Sequence, residues 1–242
     1  MLKKLALFLL IIPMASCAEL AQIGTELLEA ATTPGSSITN DQAALGLKEA
    51  LTIGLTKGAD VVSVTDGYFK NPSIKIPFPD KAVKVKNTLE DIPGGNLLVN
   101  NVVEKLNRAA EDAARGAKPI FLSAIKQMTI QDAMGILMGD DRAATSYLER
   151  TTSTPLYNSF NPVIKNSLSK VKALNAWEEV ITRYNQIPLV QKVNPSLDDY
   201  VTEKAMDGLF FMVAKEEKAI RKDPINRTTE LLKKVFAVQD NR

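Results

Sequence analysis

Apolar residues recur every third or fourth position along most of the chain, the spacing of a helix with one buried face. Ala44, Leu47, Leu51, Leu55 and Val62 form the first long stripe. Thr39-Asn-Asp-Gln42 precedes it and fits a capping box, in which the Thr hydroxyl and the Gln side chain satisfy each other's backbone N–H. The same helix carries Gly46, Ala50, Gly54 and Gly58, each four apart. A helical glycine costs about 1 kcal/mol relative to alanine, so the row predicts a ridge against which another backbone packs closely. An interrupted helix, with loops at the glycines, is the competing expectation.

The pattern changes at residues 66–79. Three prolines and a glycine forbid a regular helix there, and Ile74, Ile76 and Phe78 alternate with polar or proline positions. An extended piece near 71–79, at most one short edge strand, is expected to pack its apolar side on the helices. From Asp80 onward helices alternate with punctuation. The predicted segments are Asp80–Ile92, Leu97–Arg115, a helix from Pro119 to Met128, and one capped near Thr129 and ending at Met138. Another follows an Asp140 cap to about Arg150, and Pro155 opens the next. Ala173–Ile187 holds the lone Trp177, Leu197–Arg221 is long, and Asp223-Pro224 opens a last helix through Phe236. The fold class is all-α: a single multi-helix bundle of roughly eight to ten helices with one extended segment.

The amino terminus follows a different logic. Met1-Leu-Lys-Lys is basic, Leu5–Ile12 is an unbroken apolar run too short to span a bilayer, and small residues precede Cys17. This tripartite signal resembles the bacterial lipoprotein lipobox, with Met14 where Leu is usual. The resemblance implies cleavage after residue 16 and acyl chains on Cys17; a soluble secreted protein with a chance cysteine is the alternative. Each buried methylene contributes about 0.8 kcal/mol, so several chains anchor durably where one does not. Residues 1–16 are then the signal peptide, 17–39 a lipidated terminus with a short helix and linker, and 40–238 the helical domain. Ala18, not Asp, follows the cysteine. In the lipoproteins that this signal resembles, Asp there is an inner-membrane retention mark, so the resemblance implies the outer membrane, with the body facing the periplasm.

Composition narrows the chemistry. There is no histidine, which removes imidazole catalysis and His-ligated zinc, and Cys17 is the one cysteine, which removes an internal disulfide. Lys plus Arg total 30 against 28 acids; without Lys3 and Lys4 the chain is neutral, which argues against a nucleic-acid partner. No phosphate loop, dinucleotide fingerprint or EF-hand loop is present, so no cofactor is expected. Ser123-Ala-Ile-Lys126 and Ser167-Leu-Ser-Lys170 match a Ser-x-x-Lys spacing that arises by chance at this length and lacks its companion motifs. Asp140-Asp141 reads as a helix cap ahead of a cation site, and no metal ligand set is assigned.

Glu104, Arg108, Glu111 and Arg115 share a helix face and read as a solvated ion ladder. Asn107 sits at the edge of the apolar stripe, where a buried amide needs partners. Extending the stripe Ala205, Leu209, Met212 by a turn reaches Glu216, and Glu217 lies between Val213 and Ile220. At least one of these carboxylates must meet the core boundary and be paired there, with Arg221 one turn on and Arg227 beyond the Asp223-Pro224 turn. Glu216, Glu217, Arg221 and Arg227, with Asn107 and Glu111 as neighbours, are therefore either a polar network locking the last helices or a carboxylate–arginine site facing a cleft.

Seven ordered words carry a family resemblance: Gly46-Leu-Lys-Glu-Ala-Leu51, Asn71-Pro-Ser-Ile-Lys-Ile-Pro77, Leu106-Asn-Arg-Ala-Ala-Glu111, Met128-Thr-Ile-Gln-Asp-Ala133, Asp207-Gly-Leu-Phe210, Glu216-Glu-Lys-Ala-Ile-Arg221 and Asp223-Pro-Ile-Asn-Arg-Thr-Thr229. They resemble the bacterial family known as domain of unknown function 4197 over about residues 43–238. The resemblance implies an exported helical protein and brings no activity, ligand or catalytic residue. Two functions are expected from different classes. The first is a non-catalytic lipoprotein, membrane-held through its anchor, that binds an envelope protein or an apolar ligand. The alternative is a carboxylate-based hydrolase with an arginine-lined site, Ca or Mg assisted.

Overall fold

A computed structural model describes residues 39–91, 93–170, 196–223 and 233–236, with isolated positions 177, 182, 185, 186 and 192. Seven α-helices stand among them: α1 (Asn40–Val62), α2 (Val83–Glu90), α3 (Gly95–Ala114), α4 (Ala117–Gln127), α5 (Ile130–Leu137), α6 (Ala143–Ser169) and α7 (Leu197–Lys222), with one 3-10 turn at Asp80–Ala82. No strand occurs among the described residues. No described helix is long and apolar enough to cross a membrane.

The glycine row is a packing ridge. Both capping-box bonds at Thr39 and Gln42 form, and α1 then continues unbroken with Gly46, Ala50, Gly54 and Gly58 buried. A Cβ on Gly58 would lie 3.7 Å from the backbone of Met212, and one on Gly54 would meet Ile220 Cδ1 at 3.0 Å. The helix α7 therefore rests almost directly on the α1 backbone, and the dispersion contacts of that approach offset the cost of the glycines.

α7 is the central element, lying against α1, α3 and α6. Val201, Ala205, Leu209, Met212 and Val213 are buried along it, as the stripe predicts. The main cluster gathers Leu47, Leu106, Phe121, Leu148, Phe160 and Phe236 around this axis. Thr129 and Asp132 form the expected cap of α5, again with both reciprocal bonds.

The predicted boundaries at Asp140, Pro155 and Pro119 are corrected. Asp140 does not cap the helix that follows it, whose cap position is Arg142. Pro155 does not open a helix; it and Pro162 lie inside the 27-residue α6. Both prolines are exposed, while Leu148, Thr152, Leu156, Phe160, Ile164 and Leu168 form an uninterrupted buried row. Each proline removes the N–H that would bond the carbonyl four residues back, on Thr151 and Asn158, and both of those residues face water. Hydration replaces the missing bonds, so burial of the opposite face carries the helix through. Pro119 does not start its helix, which begins two residues earlier at Ala117, but it lies in the first turn of α4, where its missing N–H costs no helical bond.

The segment after α1 is not a strand, and the expected extended piece is shorter than 71–79: the chain runs through successive turns as far as Ile74 and is extended only from about residue 75 to 79. Ile74, Ile76 and Phe78 are buried and the residues between them exposed. Phe78 meets Trp177 edge-on, centroids 5.7 Å apart. Tyr68 is fully buried and its hydroxyl donates to the Ala205 carbonyl at 2.6 Å. Gly208 makes this possible: a Cβ there would fall 2.6 Å from Tyr68 Cε1 and 3.1 Å from Ile74 Cβ. The turn into the segment uses Asp66 at φ +71° and Gly67, whose Cβ would sit 2.5 Å from the Val61 carbonyl oxygen.

Candidate functional site

Glu217 and Arg221 form the core of the predicted cluster, one turn apart on α7 and both buried. Position 217 continues the apolar row, so the carboxylate is carried inward with it. What it meets is the bare amino end of α6, where Arg142 stands at the cap position with no side-chain cap bond. Glu217 supplies that cap from another helix. Its Oε1 accepts from the Ala144 N–H (2.9 Å), and its Oε2 from the Thr145 N–H (2.8 Å) and hydroxyl (2.7 Å). The Arg221 Nε also donates to Oε1, at 3.0 Å.

The Arg221 Nη2, itself 2.9 Å from Glu217 Oε1, also reaches the opposite kind of helix end. It donates to the Ile136 carbonyl in the last turn of α5 at 2.8 Å. A carboxylate thus meets the positive end of one helix dipole and a guanidinium the negative end of another, the favourable sense in both cases. The pair fastens the α5–α6 corner to α7. At the rim, Asp140 Oδ1 accepts from the Arg142 N–H at 2.9 Å, and Asp141 pairs with Lys222 at 2.9 Å. The Lys222 ammonium holds the Asp141 carboxyl below its ordinary range.

Glu216 points elsewhere. It binds Lys57 of α1 at 2.8 Å, with 14% of the glutamate side chain and 60% of the lysine exposed. It therefore ties α1 to α7 at the surface rather than joining Glu217.

Asn107 and Glu111 form a second, separate centre on α3, where they hold the 66–76 segment in place of a neighbouring strand. Asn107 is fully buried; its Oδ1 accepts from the Ile76 N–H (2.8 Å), while its Nδ2 donates to the carbonyls of Ile76 (2.8 Å) and Val103 (2.7 Å). One turn on, Glu111 Oε1 accepts from the N–H groups of Tyr68 and Phe69, both at 3.1 Å. Its Oε2 takes Arg108 Nη1 at 2.8 Å, and Arg108 Nη2 reaches Asp66 at 2.7 Å and Glu104 at 3.3 Å. Asp66 is held below the ordinary carboxylate range, first by its hydrogen bond from Lys70 and then by Arg108.

This corrects the expectation of a solvated ladder. Arg115 is exposed and Glu104 half-buried at its ends, but Glu111 is 3% exposed and Arg108 half-buried, because backbone donors from a distant segment give the carboxylate a reason to be inside. Arg108 was read only as a rung of that ladder, and Tyr68 and Gly208 were not singled out from the sequence. The one available signal was an aromatic pair inside a segment rich in glycine and proline.

The Ser-x-x-Lys matches resolve into ordinary contacts. Ser123 Oγ accepts from Gln127 at 2.9 Å, Ser167 donates to Asp112 at 3.4 Å, and Lys126 and Lys170 are exposed. Among the described residues no group of three or more acidic or thiol side chains is placed to hold a metal ion. Arg227 and Cys17 lie outside the described residues. A family model described as "Protein of unknown function (DUF4197)" matches residues 37–237. No curated protein and no solved structure matches the chain.

Proposed function

We propose that this chain, which belongs to the DUF4197 family, is an envelope-anchored, non-catalytic lipoprotein. Acyl chains on Cys17 hold it at the outer membrane, and its helical body in the periplasm presents a rigid surface to a partner protein. The observation that carries the non-catalytic part is the state of Glu217. Both oxygens are engaged, by two backbone N–H groups, a hydroxyl and a guanidinium. A general acid or base must reach a substrate proton, and this carboxylate reaches one only after α6 leaves its seat. Asn107 and Glu111 are likewise spent on backbone groups. Buried polar groups of this kind contribute by fixing one arrangement of helices.

The anchor part rests on the amino-terminal pattern ending at the unique Cys17. Metabolic labelling with radioactive palmitate tests it in cells making the full chain. Label on the wild type, absent from Cys17→Ser, together with sedimentation in the outer-membrane fraction, is the expected outcome. An unlabelled wild-type protein released with the soluble periplasm would overturn it.

A further inference from the structure

Between α6 and α7 runs an open groove of about 550 Å³. Its walls are two rows at every fourth residue, Glu149, Ser153 and Tyr157 on α6 and Glu203, Asp207 and Phe211 on α7. Met206 and Phe210 lie between them. Phe211 is 45% exposed, the one aromatic among the large exposed apolar residues described. Each wall spans nine residues, a rise of about 12 Å or a little over two helical turns.

The charge of this groove is lopsided. Three carboxylates line it against one cation, Arg142, which is already bound to Glu149 at 3.0 Å. Lys204 reaches Asp207 only at 3.4 Å, with both side chains largely exposed. Glu203 makes no ion pair among the described residues. The Tyr157 hydroxyl is turned to Asp199, leaving the ring as wall. An apolar centre bordered by acids complements an amphipathic helix whose apolar anchors are flanked by Lys or Arg. Anionic lipid headgroups meet the wrong sign.

We propose that the α6–α7 groove is the docking site for a basic amphipathic helix of a partner protein, with Phe211 contacting its apolar anchor and Glu203 and Asp207 its cations. The proposal rests on the binding-module reading above and names the class of partner.

The test uses the full chain carrying Cys17→Ser, in solution, and fluorescence anisotropy of a labelled helical peptide of leucine and lysine. The mirror peptide has glutamate in place of lysine. The basic peptide should bind, and Phe211→Ser and Glu203→Lys should each weaken it by about tenfold or more, the Glu203→Lys loss alone growing at low salt. Asp41→Lys, an exposed reversal on α1, should leave it unchanged. The mirror peptide should bind only to the Glu203→Lys, Asp207→Lys double variant. Equal binding to all variants, preference of the wild type for the acidic peptide, or binding to vesicles of anionic phosphatidylglycerol that Phe211→Ser abolishes would overturn the proposal. So would a wild-type dimer in sedimentation analysis that Phe211→Ser dissociates, since the groove would then serve a second copy of the chain. Palmitate labelling is independent of all these outcomes, so loss of the groove and loss of the anchor are read separately.

Discussion

Replacing Asn107 with alanine removes three side-chain hydrogen bonds of 2.7 to 2.8 Å from a fully buried position. The Val103 carbonyl loses little, because the α3 ladder still serves it. The N–H and carbonyl of Ile76, itself 1% exposed, lose the amide that satisfies them. A buried polar group left without a partner costs about 1–3 kcal/mol, so the two together predict a loss of about 3 kcal/mol after local relaxation. For a domain of this size that is a fall in Tm of about 10 °C. Urea denaturation followed by far-ultraviolet circular dichroism measures it, and hydrogen exchange at the Ile76 amide should accelerate. Asn107→Asp adds a signature of sign. A buried carboxylate facing two carbonyls has its folded-state pKa raised, so the native state holds a proton more tightly than the unfolded chain. The penalty is therefore absent below the unfolded value, near pH 4, and grows as pH rises through the folded one. The gap to wild type should be smaller at pH 4.5 than at pH 7. A loss below about 1 kcal/mol in Asn107→Ala would mean that the amide is not what holds the segment, and the strand-surrogate account would fail.

Other substitutions probe the same logic. Gly208→Ala should cost about 1–3 kcal/mol despite alanine's better helix propensity, because its Cβ would fall 2.6 Å from a Tyr68 ring pinned by its hydroxyl; thermal denaturation reads this. Glu216→Gln should cost less than about 1 kcal/mol in the same assay, since its Lys57 partner is largely exposed. The Asp132 carboxyl is held below its ordinary range by the Thr129 hydroxyl and N–H, so its stabilisation is complete above the unfolded value and drains away as pH falls below about 4. Asp132→Ala should accordingly show a shallower loss of Tm between pH 5 and 3 than the wild type.

Features with a local cause were legible in the chain. The capping boxes at Thr39 and Thr129 need only residues three apart, and the glycine ridge announced itself by its spacing of four. The stripe through Met212 and Val213 carried Glu217 inward, and the need for a partner followed from burial alone. Arg221, one turn on, followed from the spacing. The Ala144 and Thr145 donors did not, because the amino end of α6 lies more than seventy residues away in sequence. Glu111 was misread as part of a solvated ladder for the same reason: the Tyr68 and Phe69 donors that justify its burial lie over forty residues upstream. Pro155 was misread from the opposite cause. Proline breaks a helix by local rule, yet an exposed proline is tolerated when a buried row on the other face continues past it, and that row belongs to the packing of α6 on α7.

The most direct test of the claim that the predicted acidic–basic cluster is a fastener is the thermal unfolding of Glu217→Gln beside the wild type. A neutral amide replaces an acceptor-only group with one oxygen and one NH₂, which turns donors toward the α6 N–H groups and leaves Arg221 buried beside them. Disrupting a buried pair of this kind costs about 3–5 kcal/mol, and the account predicts a fall in Tm of about 10 °C or more. An unchanged Tm in a fully folded Glu217→Gln protein would contradict it and return Glu217 to the list of candidates for chemistry.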